Sequence, residues 1–289
     1  MSKGVLFTLL LIAALLGAGG FAYVFFQKEP PPAEVPVEEP VPATETLGKS
    51  VENRPIVAYT YGNGPQHLLF VGGIHGGYEW NSVLLAYKFI DYLKVYPELV
   101  PSNLTVTIIP SANPDGVYKV VGKEGRFTPA DVSTNTVVAA SGRFNANHID
   151  LNRNFDCKWK PESTWRSEVV SAGSAPFSEP EARAIRNFVL KYSPDAVVFW
   201  HSQSNAVYAS ECEAGILPKT LEVMNTYSKA SGYPAVDSFD AYPITGDAEG
   251  WLASIGIPAV TVELKTHETL EWEQNLAGIK ALFTLFARN

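Results

Sequence analysis

Cysteine and charge are both scarce in this sequence. Two cysteines in 289 residues exclude a disulfide-stapled miniature domain and a cysteine-rich metal module. Charged side chains make up only 18%, and the 22 basic ones are outnumbered by 30 acidic ones, for a formal charge of −8. A nucleic-acid binder needs clustered Lys and Arg to displace counterions from phosphate, so that class is excluded. Apolar residues are plentiful at 46%, with 12% aromatic. That excludes a disordered or collagen-like chain, which could not bury a core. There is no internal repeat.

One long apolar run is present. Gly4 to Phe26 carries no charge. At about 1.5 Å rise per residue it is long enough to cross a hydrocarbon core of about 30 Å. Lys3 precedes it and an acidic segment follows Lys28, an arrangement that sends the rest of the chain out of the cytoplasm. Residues 1–28 are therefore expected to be a single-pass membrane anchor. The competing reading is a signal peptide cut after Ala22; the length of the run and the lack of a clear A-x-A site favour the anchor. Residues 29–48 hold six Pro and five Glu and no aromatic. Fixed φ angles and like charges predict an extended, solvated spacer there.

Residues 49–289 read as one α/β domain. Ile56–Tyr61, Leu68–Gly72, Thr105–Ile109, Ala196–Trp200 and Ala259–Leu264 read as strands, the last two as central ones. Val83–Leu93, a segment capped by Ser178 and running to Tyr192, Leu217–Ser231, Gly250–Ile255 and Glu271–Ala287 read as helices. Strands alternating with helices imply a mixed, mostly parallel sheet covered on both faces. Functional groups in such sheets gather at the carboxyl ends of the strands.

Polar residues stand at those ends. One strand runs into Gly73-Ile74-His75-Gly76-Gly77-Tyr78-Glu79-Trp80, another ends at His201, another at Glu263, and another runs into PSANPDG. Two imidazoles and a carboxylate can form a three-ligand zinc site with the fourth position left to water. Taken singly, these are ordinary features: NPDG is a common turn sequence, and a strand-end His usually packs or hydrogen-bonds. His267-Glu268-Thr269-Leu270-Glu271 lacks the second His of a zinc-binding helix and reads as the approach to the last helix.

The order GGIHGGYEW, PSANPDG, HIDLNRNFD, FWHSQ and VTVEL resembles the zinc metallocarboxypeptidases, the family of carboxypeptidase A, in their shorter bacterial form. The likeness covers residues 48–289 in the correct order. It implies one zinc ion held by His75, Glu79 and His201, and Glu263 as the catalytic base. It implies that Asn152 and Arg153 hold a substrate's terminal carboxylate. Tyr242, nine residues before Trp251, matches the mobile tyrosine, and Glu249 falls at the base of the specificity pocket. Arg143 matches the cation that polarises the scissile carbonyl, with Arg126 as the alternative. One departure stands out. Three residues separate His75 from Glu79, where the family has two. Cys157 and Cys212 pair or stay free; the sequence leaves both open.

The expected function is hydrolysis of C-terminal amide bonds in peptides or cell-wall peptides, by a monomer tethered to the membrane and outside the cytoplasm. Two other functions fit the same residues: an amino-acid deacylase, and an inactive module that captures peptide C-termini.

Overall fold

The computed structural model describes Gly4 and residues 42–288. The expected anchor lies outside the described residues, Gly4 excepted. Among the described residues no helix is long and apolar enough to cross a membrane.

The strands are β1 (Ala43–Lys49), β2 (Pro55–Gly62), β3 (Gln66–Val71), β4 (Leu104–Ile109), β5 (Glu162–Trp165), β6 (Glu168–Ser171), β7 (Ala196–Ser202), β8 (Ala206–Ala209), β9 (Glu211–Cys212), β10 (Gly215–Ile216), β11 (Ala235–Val236) and β12 (Ala259–Leu264). The helices are α1 (Trp80–Val95), α2 (Pro114–Val121), α3 (Thr136–Ser141), α4 (Pro180–Tyr192), α5 (Pro218–Ser231), α6 (Ala248–Ser254) and α7 (Trp272–Ala287). Eight strands form one mixed sheet in the order β1-β2-β4-β3-β7-β12-β8-β11. Its centre, β4-β3-β7-β12, is parallel.

The central strands are buried on both faces, so their side chains divide by alternation. Leu68, Phe70, Val198 and Trp200 enter one core with Phe89 of α1 and Phe283 of α7. Leu69, Val71, Val197 and Phe199 enter the other, with Ile185 and Phe188 of α4 and Trp251 of α6. The carboxyl ends of β3, β7 and β12 thus open together between two layers of helices.

Three local expectations change. Residues 43–48, placed in the spacer by composition, belong to β1, which pairs antiparallel with β2 as the sheet's edge. The last spacer proline is Pro42; beyond it Thr44 and Thr46 suit a pleated strand, and Glu45 is held by Lys191 and Tyr192 of α4. NPDG is not a free turn: Asn113 accepts the Gly116 N–H at 2.9 Å and Pro114 starts α2. An Asn side chain serves a turn and a helix start by the same bond, so the two look alike in sequence. Ser178 does not cap α4. Glu179 precedes the helix, and its N–H donates to the side-chain oxygen Oδ1 of Asn154 at 3.0 Å.

Cys157 and Cys212 form a disulfide across 55 residues, with Cα atoms 6.1 Å apart. A loop of that length restricts the unfolded chain by about 4 kcal/mol in the chain-entropy picture. Replacing both cysteines by serine should lower the melting temperature by about 10 °C. A thermal melt of the double variant checks it.

Candidate active site

The first cluster begins where β3 ends. The chain turns at Gly72 and Gly73 and reaches His75, and Gly76 then takes a left-handed φ of 48°. A Cβ on Gly76 would meet Gly142 O at 2.4 Å and Gly116 Cα at 2.8 Å, so only glycine lets this loop lie against α2 and the end of α3. A single 3₁₀ turn, Gly76–Glu79, leads into α1. That turn absorbs the extra residue between His75 and Glu79, and His75 Nδ1 stands 2.8 Å from Glu79 Oε1.

His201, near the end of β7, completes the cluster. Its Nδ1 lies 3.1 Å from Glu79 Oε2 and 3.1 Å from His75 Nδ1. The ligand atoms of all three residues lie within 4.8 Å of one another, and all three are buried. The opposite ring nitrogens face carboxylates. His75 Nε2 lies 3.4 Å from Asp150 Oδ1, and His201 Nε2 lies 3.2 Å from Glu249 Oε1. A carboxylate behind each ring favours the tautomer whose Nδ1 lone pair points at the shared centre. Two such nitrogens and a carboxylate fit the zinc donor set. Burial opposes ionisation of Glu79, yet the two imidazoles hold its carboxyl well below the usual range. Burial likewise opposes a charge on His201, and Glu79 and Glu249 outweigh it and raise its pKa well above the usual value.

Glu263 pairs in register with His201 across the parallel strands β12 and β7. Its Oε2 is shielded from solvent and has no hydrogen-bond partner among the described residues. Burial, helped by the Glu79 charge, pushes its carboxyl up to about 8.

Arg143 follows α3. Its Nε and Nη2 donate to Asp150 Oδ2 at 3.0 and 2.8 Å, its Nη1 lies 3.7 Å from Glu79 Oε1, and it stacks on the Trp165 ring. Burial opposes ionisation of Asp150, but Arg143 and Arg153 hold it well below the usual carboxylate range. Arg126, the alternative, pairs instead with Asp91 at the surface.

Asn152 and Arg153 lie on a 3₁₀ turn just after Asp150. Asn152 Oδ1 accepts the Ala248 N–H at 2.8 Å, which leaves its amide hydrogens free to donate. Arg153 gives Nε and Nη2 to Thr164 O and Nη1 to Asn152 O. Of its five N–H groups, one on each terminal nitrogen remains. Glu249 accepts from Thr261 Oγ1 as well as facing His201. Beside it, burial and the Glu249 charge raise Asp247 to about 6. Tyr242 packs on Phe239 at the rim. All nine expected site residues line one cavity of about 400 Å³.

Asp150, Trp165, Arg166 and Asp247 also belong to this site and had no assigned part. Only Asp150 left a signal, two residues before Asn152 in HIDLNRNFD. Because it braces both His75 and Arg143, Asp150→Asn should weaken zinc binding about 10- to 100-fold. A competition titration against a chelator measures it.

A family model described as zinc carboxypeptidase matches residues 41–274. A gamma-D-glutamyl-L-diamino acid endopeptidase 1 from Lysinibacillus sphaericus is 26% identical over 242 residues, which is 75% of this chain and 59% of that protein. The chain thus spans less than two thirds of that relative's length. A carboxypeptidase B from Astacus astacus is 24% identical over 258 residues, 86% of this chain and 79% of that one. Among solved structures, the murein-tripeptide amidase from Escherichia coli O157 superposes with a TM-score of 0.61 at 24% identity, covering 89% of this chain and 96% of that one.

Proposed function

Since the chain belongs to the zinc carboxypeptidase family and is a metallopeptidase, we propose that it removes a residue with a free carboxylate from the end of a peptide, with cell-wall peptides as the substrate class. The observation that carries this is the cavity itself, where the zinc donor set, a carboxyl group with one shielded and unpartnered oxygen, and two arginines meet.

His75, Glu79 and His201 would hold the zinc ion. Bound there, zinc supplies a water of lowered pKa and a Lewis acid for the amide carbonyl. Glu263 takes a proton from the attacking water and returns it to the leaving amine. Arg143, fixed by Asp150, faces the negative charge that grows on the amide oxygen. Asn152 and the two spare N–H groups of Arg153 hold the terminal carboxylate and so set the bond to be cut. Tyr242 closes over the bound residue. No covalent intermediate is needed.

Glu249 and Asp247 at the other wall suit a second amine on the released residue, as in lysine or a diamino acid. The name of the Lysinibacillus relative, which acts on an L-diamino acid linkage, supports that choice. Glu249→Gln should cost about tenfold more on peptides ending in lysine than on those ending in a neutral residue, as expected for a lost charged hydrogen bond. Equal losses on both would remove Glu249 from specificity.

The body is taken to work outside the cytoplasm, held by the Gly4–Phe26 segment through the proline-rich spacer. The Cys157–Cys212 disulfide supports this, since such bonds persist in oxidising compartments. The test of the whole reading is a panel of peptides and muropeptides followed by mass spectrometry, with chelator and zinc add-back. Zinc-dependent release of one C-terminal residue supports it; release from acylated amino acids alone would make the chain a deacylase.

A further inference from the structure

The hairpin β5–β6 borders the cavity, which its residues Trp165 and Arg166 line. Three successive residues of it meet three different parts of the site. Thr164 O receives Arg153, at the carboxylate-holding end. The Trp165 ring lies under Arg143, at the centre, and meets Tyr78 edge-on at 5.2 Å. Arg166 comes next, in the two-residue connection Arg166–Ser167, and it lines the same cavity. The Trp165 ring that Arg166 shares with Arg143 meets Tyr78, whose own ring lies 4.6 Å from that of His267. From Thr164 to Arg166 the hairpin therefore runs from Arg153, past Arg143, to a residue that hydrogen-bonds to neither Arg153 nor its carbonyl partners.

The three arginines differ in what occupies them. Arg143 is committed to Asp150, and Arg153 mostly to backbone carbonyls. Arg166 lies over the Trp165 ring, 5.4 Å from its centre, and has no ion pair or hydrogen bond to a described residue, so its N–H groups are available. It also holds a left-handed φ of 55°, which a bulky residue adopts at a cost of about 1 kcal/mol or more.

A free guanidinium beyond the reacting centre calls for an anion on the acyl side of the bond. An ordinary peptide bond puts none there, since the α-carboxyl of the acyl residue is the one being cut. A γ-glutamyl bond does: the side-chain carboxyl forms the amide, and the α-carboxylate stays ionised three carbons away. We propose that Arg166 is a second anion-holding subsite of this cavity, which binds the free α-carboxylate of a γ-linked glutamyl residue. This rests on the peptidase reading above and adds a determinant on the opposite side of the scissile bond from Arg153 and Glu249.

The test uses the zinc-loaded full chain and three peptides: L-Ala-γ-D-Glu-L-Lys, the same peptide with the glutamyl α-carboxylate converted to carboxamide, and an α-linked peptide ending in lysine. The free carboxylate should raise kcat/KM about tenfold over the carboxamide, the effect of a charge-assisted contact at a partly solvated site. Arg166→Ala should bring the two γ-linked peptides level, and Arg166→Lys should keep part of the difference, since Lys lacks the fork. Higher salt should narrow the gap in the unaltered chain. Arg166 is exposed on a hairpin tip, and a thermal melt confirms that each variant is folded. A preference that survives in Arg166→Ala, or is absent from the unaltered chain while the α-linked peptide is cut, overturns the subsite and leaves the peptidase reading standing. Cleavage of none of the three overturns both.

Discussion

Glu263→Gln is expected to lower kcat/KM roughly 10³- to 10⁴-fold, near the upper end for a lost general base, with zinc content unchanged. Glutamine keeps the size of the side chain and cannot take a proton from water. The strand that carries it is held by backbone pairing with β7, so the fold does not depend on the carboxylate. The melting temperature should hold or rise, because the variant removes a half-buried acid with one shielded, unpartnered oxygen. The pH profile gives a second readout. A carboxyl raised to about 8 is mostly protonated, and hence idle as a base, below that pH. Activity should therefore climb with pH along an acid limb, and a bound divalent cation draws that limb to lower pH by favouring the carboxylate. Glu263→Gln should lack the limb. Turnover equal to that of the unaltered chain would dismiss Glu263 as the base.

Arg143→Ala should lower kcat about 10²- to 10³-fold and change KM far less, because in the proposed mechanism the guanidinium meets charge that develops only during the reaction. Its geometry argues for this split. Asp150 holds two of its nitrogens and Trp165 supports its plane, so the remaining nitrogen stays near Glu79 without help from substrate. Arg143→Lys should recover little, since one ammonium cannot keep the paired bonds to Asp150 and also reach the reacting oxygen. Free guanidinium ion added to Arg143→Ala should restore part of the rate. A change confined to KM would move Arg143 from the reaction to simple binding.

Much of this was legible in the sequence because the main groups end apolar strands. His201 and Glu263 close the runs AVVFW and AVTV, and those runs are buried on both faces, so their register is hard to mistake. His75 was marked by the glycines around it. What escaped detection lies where local pattern is weak. The β5–β6 hairpin has no apolar run, yet it carries Trp165 and Arg166 into the site through tertiary contact alone. Asp150 sat inside a recognised motif, but its link to both His75 and Arg143 exists only once the chain is folded. The start of α2 was hidden because Asn113 makes the same local bond in a turn as at a helix cap. The disulfide joins residues 55 apart, and no spacing rule connects them.

The tight meeting of Gly76, Gly116 and Gly142 has a practical side. These three positions lie on three separate segments, and the backbone of one fills the space where the others would carry a side chain. Anyone randomising this scaffold to alter its selectivity should leave them untouched. A methyl on Gly76 would push the His75 loop outward, and one on Gly116 or Gly142 would force the neighbouring backbone or Val120 aside, silencing a library before any pocket residue had been sampled.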